Sequence, residues 1–107
     1  MNYEEHIHTI ENGDSGHELA YCEWGKNEGF PILCVHGLTG NSTDFDYIAP
    51  ALARLGYRVI AIDLPGRGNS TYFDDPLRYN YDQYLNDIYT LLHDLEIQHI
   101  DWLGISL

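Results

Sequence analysis

Basic residues are scarce: five Lys and Arg stand against 17 Asp and Glu in 107 residues, a formal charge of −12. A surface of that sign repels phosphate backbones and anionic headgroups, so nucleic acid and acidic membranes are not expected partners. Cysteine is nearly absent too. Cys22 and Cys34 are too few for a disulfide framework and offer no second ligand pair for zinc, so no metal is expected. Both sit in apolar strand-like runs and read as reduced, buried thiols. No apolar run approaches the roughly 18 residues that a membrane span needs. The opening Met-Asn-Tyr-Glu-Glu-His has neither the basic nor the apolar region of a signal peptide. The expectation is a soluble, cytoplasmic chain. Repeats and linkers are also lacking, and the length allows one small domain rather than two.

What is present is an alternation of strand-like and helix-like segments. Residues 5–11 read as an exposed strand. Asn12-Gly13-Asp14 is turn chemistry, which returns residues 17–24 as a hairpin partner, with Leu19, Tyr21 and Glu23 on one face and Ala20, Cys22 and Trp24 on the other. Phe30–Val35 is apolar without alternation, as suits a strand buried on both faces of a parallel sheet. Phe45, Ile48, Leu52 and Leu55 recur at helical spacing, with Asn41 or Ser42 as cap, Gly56 behind, and Pro50 pushing the regular part late. Val59–Ile62 is the second apolar strand. Tyr81, Tyr84, Leu85, Ile88, Leu91, Leu92 and Leu95 form one helical stripe, with Asn80 and Gln83 at capping-box spacing. Ile100–Ile105 is the last apolar run.

A hairpin followed by βαβαβ predicts an α/β fold with a mainly parallel sheet, whose chemistry lies beyond the carboxyl ends of the strands. Three strand endings should therefore share one rim. They are His36-Gly37-Leu38-Thr39-Gly40, Asp63-Leu64-Pro65-Gly66-Arg67-Gly68-Asn69-Ser70 and Gly104-Ile105-Ser106-Leu107. The third matches the first four positions of G-x-S-x-G, in which a strained turn lifts a serine Oγ clear of the sheet and small neighbours permit the tight fold. The first is a Gly-containing turn able to aim a backbone N–H at an oxyanion. The second lacks G-x-G-x-x-G spacing, so it is no dinucleotide cradle.

Strand-H-G-x-x-G-helix, strand-D-x-P-G-x-G-x-S, amphipathic helix, strand-G-x-S together resemble the N-terminal half of α/β-hydrolases, over residues 17–107 with the first strand fitting as well. The resemblance implies that 1–107 is the N-terminal part of a single such domain. It implies Ser106 as nucleophile and the N–H groups of Leu38 and Leu107 as the oxyanion hole. His36, Gly37, Gly40, Asp63, Gly66, Gly68 and Gly104 are implied to shape the loops. A serine at 106, where some relatives carry aspartate, points to acyl chemistry on a small-molecule ester, thioester, lactone or related bond. No cofactor is implied.

The family's acid and histidine follow the nucleophile, and this sequence ends one residue after it. His93 and His99 are expected in solvent, and His6, His8 and His17 are expected far from the rim. His36 has no evident carboxylate to orient it. A terminal carboxylate at Leu107 would also oppose an oxyanion. The 107-residue chain by itself is therefore expected to be an inactive piece of a longer serine hydrolase. The alternative is a non-catalytic module that pairs the exposed edge of its last strand with a partner or a second copy. A flavodoxin-like reading would need a phosphate-binding first loop, which Asn12-Gly13-Asp14 does not supply.

Overall fold

The computed structural model describes residues 3–12 and 15–105. β1 (Tyr3–Asn12) and β2 (Ser15–Trp24) form the antiparallel hairpin, registered from Tyr3 opposite Trp24 to Asn12 opposite Ser15. Gly13 and Asp14 of the expected turn lie outside the described residues. Then come β3 (Phe30–Val35), α1 (Ile48–Arg54), β4 (Tyr57–Ile62), α2 (Tyr81–Asp94) and β5 (Asp101–Gly104). The sheet order is β1-β2-β4-β3-β5, with β4 and β5 parallel to β3 on its two sides and β2 antiparallel to β4.

The unbroken apolar runs are explained by the two layers on this sheet. Leu33, Val35, Ile60 and Ile62 point to one face, where Tyr84, Ile88 and Leu91 of α2 cover them with Ile10, Leu19 and Tyr21. Ile32, Cys34, Val59 and Ala61 point to the other, against Phe45 and the small residues Ala49 and Ala53 of α1, with Trp24 alongside. Each fully buried Leu or Ile contributes about 1.5–3 kcal/mol of transfer free energy, so both faces of β3 and β4 hold the sheet together.

The first helical segment divides as Pro50 demands. Asn41 caps a single 3-10 turn, Ser42–Phe45, by accepting the Thr43 N–H, and the α-helix begins only at Ile48. In α2 half of the expected capping box forms: Asn80 Oδ1 accepts the Gln83 N–H at 2.8 Å. The Gln83 amide does not reach back; it turns to Asp87 Oδ1 at 2.9 Å. The expected apolar stripe is also only partly covered. Tyr84, Ile88 and Leu91 are buried, but Tyr81 and Leu85 are exposed, and buried Asp87 lies among the covered positions. Leu85 instead lines an apolar groove with Ile88, Leu92, Ile100 and Trp102 of the β5 edge.

Candidate active site

Register levels the three strand endings. Val35 lies opposite Ile62 on one side and Gly104 on the other, and Ile105 N–H extends the ladder to Val35 O at 3.0 Å. The chain leaves β3 towards α1 on one face and leaves β4 towards α2 on the other, which opens a crevice at the carboxyl ends. The expected rim is therefore present. Ser106 and Leu107, the expected nucleophile and one oxyanion donor, lie outside the described residues. Gly104 is exposed, and a Cβ there would meet only the Trp102 indole, 3.4 Å away, so no tight approach requires glycine at that point among the described residues.

His36 is fully buried and bridges two of the loops. Its Nε2 accepts the Leu64 N–H at 2.9 Å, and its Nδ1–H donates to Gly37 O at 2.7 Å. A backbone donor at one nitrogen and a carbonyl at the other demand the Nδ1–H tautomer and occupy both nitrogens. Gly37 O also accepts the Gly40 N–H at 3.1 Å, closing a turn over Leu38 and Thr39. A Cβ on Gly40 would overlap the Asp44 carboxylate and stand 3.3 Å from the His36 Cβ.

Asp63 organises the second loop. Its Oδ1 accepts the Ser42 N–H at 2.7 Å and its Oδ2 the Asn69 N–H at 3.0 Å, while its carbonyl accepts the Ser70 hydroxyl. A carboxylate held by backbone N–H groups makes charge-assisted bonds, roughly twice as strong as neutral ones. The loop can wrap this tightly because Gly66 and Gly68 take φ of +79° and +52°. A Cβ on Gly68 would overlap the Asp63 carboxylate, and one on Gly66 would stand 2.6 Å from the Tyr79 ring.

Leu38 is 60% exposed, and its N–H meets no acceptor among the described residues. With Tyr79, Asn80, Tyr81 and Tyr84 it lines a cavity of about 400 Å³. The polar groups of this wall are largely engaged within the protein. The Tyr79 hydroxyl accepts the Phe73 N–H at 2.6 Å, the Tyr84 hydroxyl accepts from Arg67 at 2.8 Å, and Asn80 caps α2. What faces the cavity is mainly aromatic carbon.

Sequence reasoning missed two features of this region. Arg67 received no role, although its donors reach Leu38 O, Pro65 O and the Tyr84 hydroxyl. His17 was expected far from the rim. Because β2 runs antiparallel to β4, with Tyr21 opposite Ile62, the start of β2 extends past the carboxyl end of β4 and puts His17 on the rim side. There it is buried against Asp87 and edge-on to Phe73. The available signal was Asp87 itself, a carboxylate at a core position of the α2 stripe. His93 and His99 are exposed, and His8 meets Asp94 at 2.7 Å.

Neither cysteine is poised as a nucleophile. Burial pushes the Cys34 thiol up to about 11, and burial also raises Cys22, opposed by the Ser42 hydroxyl 4.0 Å away. Both are unpaired. Among the described residues no group of His, Cys, Asp and Glu could hold a metal, and no helix is long and apolar enough to cross a membrane.

Residues 31–107 match the alpha/beta hydrolase fold family, and the chain belongs to it. A 3-hydroxybutyrate-oligomer hydrolase of Cupriavidus necator is 41% identical over 85% of this chain and 31% of its own length. A serine hydrolase-like protein of Danio rerio is 33% identical over 84% of this chain and 27% of its own. A haloalkane dehalogenase of Psychrobacter cryohalolentis is 29% identical over 97% and 36%. Among solved structures, a hydrolase from Rickettsia typhi superposes with a TM-score of 0.85 at 35% identity, covering 99% of this chain and 40% of that one. The thioesterase domain from the curacin biosynthetic pathway gives 0.82 at 29% identity, covering 96% and 37%. The chain spans about a third of the length of the curated relatives it matches.

Proposed function

We propose that these residues are the nucleophile half of a serine hydrolase that cleaves a small ester, thioester or related acyl bond. In this reading Ser106 Oγ attacks the acyl carbon and passes its proton to a histidine supplied from outside residues 1–107. The Leu38 and Leu107 N–H groups hold the oxyanion, the alcohol or thiol leaves with that proton, and water releases the acyl-enzyme. The observation that carries the reading is the level ending of β3, β4 and β5, after which the next residue but one past Gly104 is Ser106. Two further points support it. His36 has both nitrogens occupied, His17 is sealed in the core against Asp87 and Phe73, and His8 sits on β1 at the opposite edge of the sheet from β5, which leaves the base to another segment. The aromatic cavity beside Leu38 suits an apolar acyl or alkoxy group, and the 3-hydroxybutyrate-oligomer and thioesterase relatives carry acyl-transfer names. The unpaired thiols accord with a reducing, cytoplasmic setting.

A fluorophosphonate probe should label the complete gene product, and Ser106→Ala should abolish the label. Labelling that persists in the variant removes Ser106 as nucleophile. The second reading, a strand-pairing module, is favoured by the open edge of β5, whose Trp102 is 51% exposed. It requires a monodisperse 107-residue species whose β5 amides are protected from exchange by a partner.

A further inference from the structure

We propose that Arg67 is a positioning residue for the oxyanion donor at Leu38, an inference that rests on the acyl-transfer reading above. Arg67 is a cation in a chain of charge −12, yet among the described residues it makes no ion pair, whereas Arg58 pairs with Glu23. Its donors go to uncharged oxygens on three different elements. Nε–H meets Leu38 O at 3.1 Å on the loop after β3. Nη1 meets Pro65 O at 2.8 Å on its own loop and the Tyr84 hydroxyl at 2.8 Å on α2. The guanidinium also stands 5.5 Å from the Tyr84 ring centre and 5.9 Å from that of Tyr79. A planar fork can make these contacts at once; an ammonium on a flexible stem cannot.

The loop that Arg67 grips is otherwise anchored at this point through one carbonyl, Gly37 O. Its two fixed points are the His36 ring and the Gly40 N–H to Gly37 O turn, and Leu38 between them is largely exposed. The Leu38 N–H and the Leu38 carbonyl belong to consecutive peptides that share Leu38's φ and ψ. The Leu38 N–H shares its peptide plane with Gly37 O, which the His36 ring and the Gly40 N–H hold on one side, and Arg67 holds the next peptide through Leu38 O, so the two planes are clamped from both ends. The flanking glycines, both at positive φ, hold the residue 67 backbone where its side chain spans the two loops. The same arrangement keeps a fixed positive charge beside the loop on which an oxyanion would form.

The test uses the complete gene product with a small neutral ester. Losing one oxyanion donor costs about 10²–10³ in kcat, and a loosened donor should cost less. Arg67→Met should lower kcat about ten- to hundred-fold with KM within about twofold, and slow fluorophosphonate labelling by the same factor. Arg67→Lys should recover only part of the loss. An alkylguanidinium salt at non-denaturing concentration should partly rescue Arg67→Ala. Tyr84→Phe, which leaves Arg67 in place but removes one of its acceptors, should lower kcat several-fold and guards against a Met variant that fails to fold. Wild-type kcat in Arg67→Met, a loss carried in KM, or a loss that follows the unfolded fraction would each overturn the assignment. If the wild type fails to label at Ser106, the acyl-transfer reading falls and takes this proposal with it. Labelling at Ser106 that is equally fast in Arg67→Met sinks the Arg67 role alone.

Discussion

The Nε2 of His17 lies 2.8 Å from Asp87 Oδ2, with both side chains only 1% exposed, and this pair ties β2 to α2 inside the core. Asp87 Oδ1 takes a second bond from Gln83, while His17 Nδ1 has no partner among the described residues. Taking both groups out of water is costly, and their mutual bond offsets that cost only while both remain. His17→Leu, which leaves the buried Asp87 carboxylate with Gln83 alone, should therefore cost about 3–5 kcal/mol. Asp87→Leu, which leaves the buried imidazole without its partner, should cost about 1–3 kcal/mol. The double replacement should cost less than the sum by about 1–3 kcal/mol. Urea unfolding of the four proteins measures the coupling, and strictly additive losses would contradict it.

Two glycines at positive φ should respond differently to alanine. Gly56 (φ +101°), behind α1, has nothing within 4 Å of an added Cβ, so Gly56→Ala pays only backbone strain, about 1–2 kcal/mol. Gly68 (φ +52°) has the Asp63 carboxylate where the Cβ would go. Gly68→Ala must displace that carboxylate from the Ser42 and Asn69 N–H groups, at a further cost of roughly 2 kcal/mol or more. Thermal melting of the two variants should rank Gly68→Ala clearly lower. Equal melting temperatures would show that the Asp63 bonds do not stabilise the loop.

Alkaline stability should carry the mark of Cys34. Burial raises its thiol from the ordinary 9.0 to about 11 in the folded chain. Below pH 9 the thiol is protonated folded and unfolded, and the stability is fully present. As pH rises towards 11 the unfolded chain ionises first, and on the order of 3 kcal/mol is lost. Tyr21, raised first by burial and then by Glu23, acts in the same direction at higher pH. Urea midpoints followed from about pH 8 to about pH 10.5 should fall more steeply for the wild type than for Cys34→Ala. Parallel curves would mean that the folded chain does not hold the thiol proton.

Much of this molecule is legible in its sequence for local reasons. Unalternating Phe30–Val35 and Val59–Ile62 suit strands covered on both faces, and residues 32–35 and 59–62 are so covered while Phe30 stays exposed. Pro50 delays α1, and Asn80 caps α2, because proline lacks an N–H and asparagine offers an oxygen at short range. The rim followed from strand direction alone. The side-chain work within it did not. Nothing near Arg67 in sequence shows that it reaches Leu38 and Tyr84, and nothing near His17 announces Asp87, 70 positions away. The reciprocal bond expected of Gln83 failed because Asp87, one turn along α2, competes for the same amide.

The sequence by itself determined the order of elements, the two-faced burial of the central strands and the three strands that end on one rim. These depend on periodicity, caps and turn residues, whose physics acts over a few positions. Only the tertiary structure decided that His36 spends both nitrogens on backbone, that His17 stands on the rim side of the sheet, and that Arg67 binds three elements at once. Those outcomes depend on strand register and on distances between residues far apart in the chain, which no local preference encodes.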